Sequence, residues 1–264
     1  MMKIFDSHCH LTDEKFDEDR EELINKLQIG GVEKLVTAGY SLESSKDAIE
    51  LANNYEFMYA TIGISPNDIP DTKQEIDEEI SMLKELYNTS KKIVAVGEIG
   101  LDYHWNIENK ENKELQRYAF IKQIELANEL NLPIQIHTRD AVMDTLEILK
   151  ENKVNNGGIF HCCPLNRELV KEGIKLGFYI SFAGPVTFKN SKNAEEIISI
   201  VPNDRFLVET DSPYLAPEPK RGTRNDPRNV QHIIEKIAEV KEETFEEIEN
   251  MTNMNAKRIF KIKK

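Results

Sequence analysis

The chain is poor in cysteine, in long apolar stretches and in positive charge, and each shortage narrows what it can be. Its 264 residues include three cysteines, Cys9, Cys162 and Cys163, two of them adjacent. So few thiols favour a reducing compartment and argue against a disulfide-stabilised secreted fold. No apolar run approaches the roughly 20 residues that span a bilayer, and the first residues lack the basic-then-apolar order of a signal peptide. We therefore expect a soluble, cytoplasmic protein without a membrane partner.

The shortage of positive charge bears on possible substrates. The chain has 34 Lys and Arg against 47 Asp and Glu, for a formal net charge of -13. Affinity for phosphate backbones comes largely from clustered Lys and Arg, so this balance argues against broad, non-specific binding of nucleic acid. A polyanionic substrate would have to be held locally, at a small site.

A pair of histidines near the N-terminus is the first sign of chemistry. Residues 4–10 read IFDSHCH. Side chains alternate faces along an extended strand, so His8 and His10 point the same way while Cys9 points to the opposite face. This arrangement suits two ligands of one metal, although an isolated His-x-His pair is also typical of an ordinary strand end.

Further candidate ligands close short apolar runs of strand type elsewhere in the chain. His137 ends the run LPIQIH, His161 ends GIFH, Glu98 ends IVAVGE, and Asp211 follows FLVET. Four imidazoles and two carboxylates therefore come from the C-terminal ends of five predicted strands, and this common placement favours a shared metal site.

Short β-type runs alternate with amphipathic helical segments about eight times. After the first strand, the predicted strands are 32–37, 57–64, 93–98, 134–137, 158–161, 178–182 and 206–209. The predicted helices are 14–29, 42–54, 73–88, 111–131, 139–152, 166–176, 191–200, 227–241 and 245–262. The last helix begins at a capping box formed by Thr244 and Glu247.

This alternation predicts an α/β fold, a (β/α)8 TIM barrel that is regular or distorted, in a single domain over residues 1–264. A doubly wound open sheet is the alternative. The barrel is favoured because the candidate ligands come from strands 1, 4, 5, 6 and 8, and only closure brings the first and last of these together. The C-terminal ends of barrel strands form one mouth, so we expect the metal site there.

Longer motifs carry a family resemblance. They are DSHCHL at 6–11, GEIGLDY at 97–103, QIHTR at 135–139, HC at 161–162, YISF at 179–182, VTFK at 186–189 and ETDSPYLAP at 209–217. In this order, over essentially the whole chain, they resemble the TatD-type metal-dependent deoxyribonucleases. The resemblance implies a TIM-barrel hydrolase with two divalent metals at the barrel mouth.

The resemblance also implies roles for particular residues. One metal would be held by His8, His10, Glu98 and Asp211, and the other by Glu98, His137 and His161, with Glu98 bridging. Such mixed ligands do not select sharply among Zn, Mn and Mg, and the family implies Mg. Two such metals, about 4 Å apart, can hold the attacking and leaving oxygens of a displacement and bring the pKa of a shared water toward neutrality. Glu98 and Asp211 are thus the catalytic candidates, with Asp211 accepting the proton of that water.

The sequence departs from the family pattern in two places. After the third strand, Gly-x-His-Pro-His is replaced by GISPN, which puts Ser65 and Asn67 where the family has histidines. After His161, Phe-Ser-Gly is replaced by Cys-Pro-Leu at residues 163–165. Neither change falls on a ligand position, so both bear on the substrate groove.

Residues outside the ligand set are candidates for substrate contacts. Arg139 and Arg221 are predicted to pair with phosphate, and Tyr103 to stack on a base, as Trp105 and Tyr214 also could. Glu209 lies two residues before Asp211 on the same strand face. We predict that it orients a ligand or the water, with a purely structural role as the alternative.

The leading functional prediction is a phosphodiesterase that holds DNA at the metal site and removes nucleotides from an end of a single strand. A metal-dependent ester or amide hydrolase, such as an aminoacyl-tRNA deacylase, is the alternative. A non-catalytic metal-bearing module is disfavoured because the ligand set leaves coordination positions open for water. The sequence indicates no obligate protein partner.

Overall fold

The computed structural model describes residues 2–105 and 109–263. Within them, eight strands form one sheet in the order β1 to β8, and each neighbouring pair that is hydrogen-bonded is parallel. The strands are β1 Ile4–Cys9, β2 Val32–Thr37, β3 Met58–Ile62, β4 Ile93–Asp102, β5 Ile134–Arg139, β6 Gly158–Phe160, β7 Tyr179–Phe182 and β8 Phe206–Val208.

Helices follow the strands and cover the outside of the sheet. They are α1 Arg20–Leu27, α2 Leu42–Asn54, α3 Lys73–Tyr87, α4 Lys110–Leu130, α5 Val142–Glu151, α6 Arg167–Lys175, α7 Ala194–Ile200, α8 Val230–Lys241 and α9 Phe245–Ile259. The predicted capping box at the start of α9 is present, with Thr244 and Glu247 bonding reciprocally. Strand order and alternation confirm the (β/α)8 barrel. No helix in the described part of the chain is long and apolar enough to cross a membrane.

The barrel is closed between β1 and β8 by hydrogen bonds that involve side chains as well as backbone. The Asp6 carboxylate accepts the backbone N–H of Thr210 at 2.9 Å and its hydroxyl at 2.5 Å. The backbone N–H of Asp211 donates to the carbonyl of His8 at 3.0 Å. These bonds bring two candidate ligands from opposite ends of the chain side by side.

Apolar packing fills the end of the barrel away from these residues. A cluster near the N-terminal ends of the strands includes Phe5, Ile159 and Leu207, and it also contains Phe260, which follows α9. The rings of Phe5 and Phe260 stack with their centroids 5.9 Å apart. This packing closes one end of the barrel, and the candidate ligands lie at the other.

Several predicted boundaries differ from those of the structure, for local reasons. The helix expected over 14–29 is a short 3₁₀ helix, Glu14–Phe16, followed by α1, because the backbone at Asp19 leaves the helical region with φ of −140°. β4 continues to Asp102 beyond its predicted end at Glu98, and β5 runs to Arg139, which delays the start of α5. Gly100 permits the close approach of β4 and β5. Its φ is +138°, and a Cβ there would lie 2.0 Å from the carbonyl oxygen of His137.

Candidate metal centre

His8 and His10 project to the same side of β1, as strand alternation predicts. Their Nε2 atoms lie 3.1 Å apart and their rings meet edge to face. Between them, Cys9 is buried on the other face, with its Sγ 3.4 Å from the carbonyl oxygen of Val36. Two imidazole nitrogens this close repel unless a proton or a cation lies between or beside them, which is what a metal would supply.

Asp211 completes a first group of ligand atoms with these histidines. Its Oδ1 lies 3.3 Å from His10 Nε2 and 3.7 Å from His8 Nε2. One donor atom from each of the three residues lies within 4.8 Å of the other two, and all three side chains are buried. The arrangement brings together three of the four residues that the family resemblance assigns to one metal.

Glu98 is the fourth, and its two oxygens face different partners. Oε2 lies 3.6 Å from His8 Nε2 and 3.5 Å from His10 Nε2. Oε1 lies 2.9 Å from His137 Nδ1 and 3.3 Å from His161 Nε2. The carboxylate thus presents one oxygen to each pair of imidazoles.

His137 and His161 form the second side of the centre. His137 Nδ1 lies 3.1 Å from His161 Nε2, and His8, Glu98 and His161 form a second group of mutually close donor atoms. The six residues predicted as ligands therefore converge at the C-terminal mouth of the barrel, and their donor types fit divalent cations.

Polar partners hold three of the imidazoles by the ring nitrogen that faces away from the centre. Such outer contacts fix the tautomer and the ring orientation of a ligand. The pairs are His8 Nδ1 with Gln135 Oε1 at 3.1 Å, His137 Nε2 with Asp102 Oδ2 at 3.1 Å, and His161 Nδ1 with Glu209 Oε1 at 3.3 Å. In each pair the imidazole N–H donates, which leaves the other nitrogen free to bind a metal.

Glu209 is fully buried and makes a second contact, accepting the backbone N–H of Cys162 at 2.6 Å. Its hydrogen bond with His161 Nδ1 is the kind of contact that orients a metal ligand. Its other oxygen, Oε2, has no hydrogen-bond partner among the described residues.

The centre is electrostatically balanced between carboxylates and imidazoles. Burial alone raises the pKa of Glu98, but His161 and His137 outweigh it and hold that pKa well below its ordinary value. Burial lowers the pKa of His161, but the charge of Glu98 and the bond to Glu209 raise it well above its ordinary value. The carboxylates are thus ionised at neutral pH, and cations entering the centre would replace protons on the imidazoles.

The ligands open into a cavity of about 790 Å³ at the mouth. One wall is polar, and includes Asp13, Tyr40, Ser65, Asn67 and Asp68. The opposite wall is largely apolar, with residues from the loops after β6, β7 and β8, namely Pro164, Leu165, Ala183, Pro185, Val186 and Leu215. Both departures from the family pattern therefore face this cavity.

The substrate-binding candidates are placed differently from one another. Arg139 lines the cavity. Tyr103, predicted to stack on a base, is instead 6% exposed, and its hydroxyl donates to Asp144 Oδ2 at 2.7 Å. The strand β4 ends at Asp102, so the next side chain packs under the helices and not over the mouth. Arg221 is exposed with its guanidinium 4.2 Å from the centre of the Phe188 ring, outside the cavity lining.

Several polar residues of the site were not predicted from the sequence. Asp102 had a usable signal, because it lies four residues after Glu98 on the same face of β4. Gln135 had a similar signal, because it lies two residues before His137 on the same face of β5. Asp13 and Asp68 had none, since their roles depend on contacts with distant strands and loops. Asp13, for example, accepts the hydroxyl of Tyr214 at 2.5 Å, across 201 residues of sequence.

Comparisons with known proteins agree with this geometry. The family described as TatD related DNase matches residues 5–261. The uncharacterized metal-dependent hydrolase YabD of Bacillus subtilis is 46% identical over 260 residues, covering 98% of this chain and 99% of that protein. YcfH of Escherichia coli, with the same description, is 37% identical over 265 residues, covering 99% and 97%.

A comparison with solved structures points to the same family. The crystal structure of YJJV, a TatD homolog from Escherichia coli, superposes with a TM-score of 0.89 at 25% identity, covering 98% of each chain. Taken with the barrel and its convergent imidazoles and carboxylates, these matches show that the chain belongs to the TatD-related family of metal-dependent hydrolases.

Proposed function

We propose that this metal-dependent hydrolase is a deoxyribonuclease that removes nucleotides from an end of single-stranded DNA. The observation that carries the proposal is the orientation of Glu98, whose two oxygens face two different pairs of imidazoles. A bridging carboxylate is what a two-metal phosphodiesterase needs, because it joins two cations and offsets part of their charge.

The residues fit two divalent ions. His8, His10, Glu98 and Asp211 would hold one, and Glu98, His137 and His161 the other. Mg is expected, and Zn or Mn also suit these donors. When bound, the pair of ions would polarise the phosphoryl oxygen and lower the pKa of the attacking water.

Asp211 is proposed as the base. The attack of water on phosphorus releases a proton, and the acceptor must be an ionised group beside the reacting atoms. Burial raises the pKa of Asp211, but the hydrogen bond and charge of His10 lower it below its ordinary value. Asp211 is therefore ionised at neutral pH, and it lines the cavity into which the substrate would enter.

Charge and shape support an end of a single strand as the substrate. Among the described residues that line the cavity, Arg139 carries the only Lys or Arg side chain, whereas five carboxylates face it. One phosphate can pair with Arg139. Further phosphates along the mouth would be repelled by the carboxylates of Asp13, Asp68 and Asp140. A strand entering by its end avoids most of this repulsion.

The same cavity also supports the second candidate, a metal-dependent ester or amide hydrolase such as an aminoacyl-tRNA deacylase. The observation in its favour is the apolar wall formed by residues such as Leu165, Val186 and Leu215, which suits a neutral acyl group. Bridged metal centres hydrolyse carboxylic esters by the same activation of water.

A parallel assay separates these candidates. Metal-loaded protein is incubated with end-labelled single-stranded DNA, with an aminoacylated tRNA and with a small amide. We expect mononucleotides from the DNA and no deacylation above the spontaneous rate. Intact DNA together with rapid release of the amino acid would replace the proposal by the second candidate.

A further inference from the structure

The rim of the cavity carries an exposed aromatic residue that the metal centre does not use. We propose that Trp105, together with Arg139, forms a subsite for one nucleobase and its phosphate beside the metal centre. The proposal rests on the nucleic-acid substrate proposed above and names the part of the protein that holds the nucleotide.

Trp105 is the single tryptophan of the chain and is 68% exposed. The guanidinium carbon of Arg139 lies 5.3 Å from the centre of its indole ring. The His104 ring meets the indole edge to face, at 4.8 Å and 87°. The guanidinium of Arg139 therefore lies over the indole ring and the His104 ring contacts it, while most of the side chain remains open to solvent for stacking.

Hydrogen bonds connect His104, the residue before Trp105, to the metal centre. Asp102, which holds His137 through Oδ2, accepts the backbone N–H of His104 through Oδ1 at 2.9 Å. His104 Nδ1 lies 2.8 Å from Oδ2 of Asp140, which lines the cavity. Contacts at the ends of the neighbouring strands β4 and β5 thus hold His104, and Trp105 after it, beside the mouth.

The chemistry of the pair selects the kind of ligand. A cation could lie on an indole ring, but Arg139 at 5.3 Å repels a second positive charge. A flat, neutral ring with an attached negative charge satisfies both side chains, since the indole stacks on the ring and the guanidinium binds the anion. A nucleotide has both parts. Trp105 thus takes the stacking role that the buried Tyr103 cannot perform.

A binding titration tests the subsite directly, because the single tryptophan is its own reporter. Metal-loaded protein is titrated with phosphorothioate-linked oligothymidylate of eight nucleotides, which resists cleavage, and with an abasic strand of equal length and linkage. We expect the thymidylate to quench the tryptophan emission and to bind at least about five-fold more tightly than the abasic strand, equivalent to about 1 kcal/mol. Equal affinity and equal quenching by the two strands would overturn the proposal.

Kinetics of two variants provide the second test. Trp105→Leu should raise the KM for single-stranded DNA by about five-fold or more, leave the KM for DNA with abasic terminal residues unchanged, and keep kcat. Trp105→Phe should retain most of the wild-type KM because the phenyl ring still stacks. Ile29→Ala is the matched control, since Ile29 is 85% exposed and precedes β2 at the other end of the barrel.

The outcomes distinguish this proposal from the function on which it rests. A Trp105→Leu variant with unchanged KM, or with the same increase for base-bearing and abasic DNA, removes Trp105 from the site. If wild-type protein cuts no DNA, the proposed function fails, while the fluorescence titration still decides whether Trp105 and Arg139 bind a nucleotide.

Discussion

Replacing Asp211 by Asn separates the catalytic role that we propose for this residue from its role in assembling the centre. The backbone of Asp211 is left-handed, with φ of 55°. Asn is one of the few residues that tolerates this conformation, so the substitution should not strain the chain. Asn also keeps the size of the side chain and one coordinating oxygen, but it carries no charge and cannot accept a proton at neutral pH.

The expected magnitude follows from the contacts of Asp211. Its Oδ1 faces His10 and His8, whereas His137 and His161 face Glu98. The substitution should weaken one metal position and leave the other largely intact. Loss of a general base lowers turnover by at least about 10²-fold, or roughly 2.7 kcal/mol in activation free energy.

The assay is turnover of end-labelled single-stranded DNA at saturating metal, with bound metal measured on the same samples. Glu98→Gln is the control, because loss of the bridging carboxylate should lower occupancy at both positions. Wild-type turnover of Asp211→Asn at full metal occupancy would refute the assignment of Asp211 as the base, and Glu209 would be the next residue to test.

Four further results are expected. Cys9→Ser should keep bound metal and turnover within a few-fold, because Cys9 faces Val36 and not the ligands; a loss of metal would contradict the strand register. Arg139→Ala should raise KM on DNA by at least about ten-fold, equivalent to about 1.4 kcal/mol, without changing bound metal; an unchanged KM would exclude Arg139 from the substrate site. Glu209→Gln should weaken metal binding by about 10- to 100-fold while melting stays cooperative, as measured by metal titration; unchanged affinity would make Glu209 purely structural. In metal-free protein, burial lowers the pKa of His10 and His161, but the neighbouring carboxylates outweigh it and raise both pKa values. The protonated histidines therefore stabilise the fold fully below the ordinary histidine pKa of about 6.5, and this contribution is lost as pH rises through the raised pKa values. The melting temperature without metal should therefore fall above neutral pH, and metal addition near pH 7 should release protons, detectable by calorimetry in buffers of different ionisation enthalpy; no proton release would contradict protonated imidazoles.

The barrel and the convergence of the six candidate ligands were predictable because both depend on local sequence patterns. Alternation along β1 sets the common face of His8 and His10, and the apolar run before each of the other candidate ligands marks a strand, although β4 and β5 continue past Glu98 and His137. Once the strands form a parallel barrel, their C-terminal ends converge without further information. The convergence of the six residues therefore follows from strands that a sequence can show, even where the predicted strand ends are wrong.

The residues around the ligands were harder to predict because their roles depend on tertiary contacts. Tyr103 and Trp105 are both aromatic residues beside a strand end, and the sequence does not show which is buried. The structure distinguishes them because β4 ends at Asp102, Tyr103 bonds to Asp144, and Trp105 lies beside Arg139. The hydrogen bond between His161 and Glu209 likewise joins the ends of β6 and β8, which are 48 residues apart in sequence.

Metal add-back to chelated protein tests the two-metal centre most directly, with single-stranded DNA as substrate and bound metal measured at each step. We expect no hydrolysis at metal content near zero, and a return of activity that reaches its plateau at two divalent ions per chain. In Glu98→Gln the same titration should show weakened binding of both ions. Hydrolysis undiminished in metal-free protein, or full activity with one ion per chain, would contradict the bridged two-metal centre.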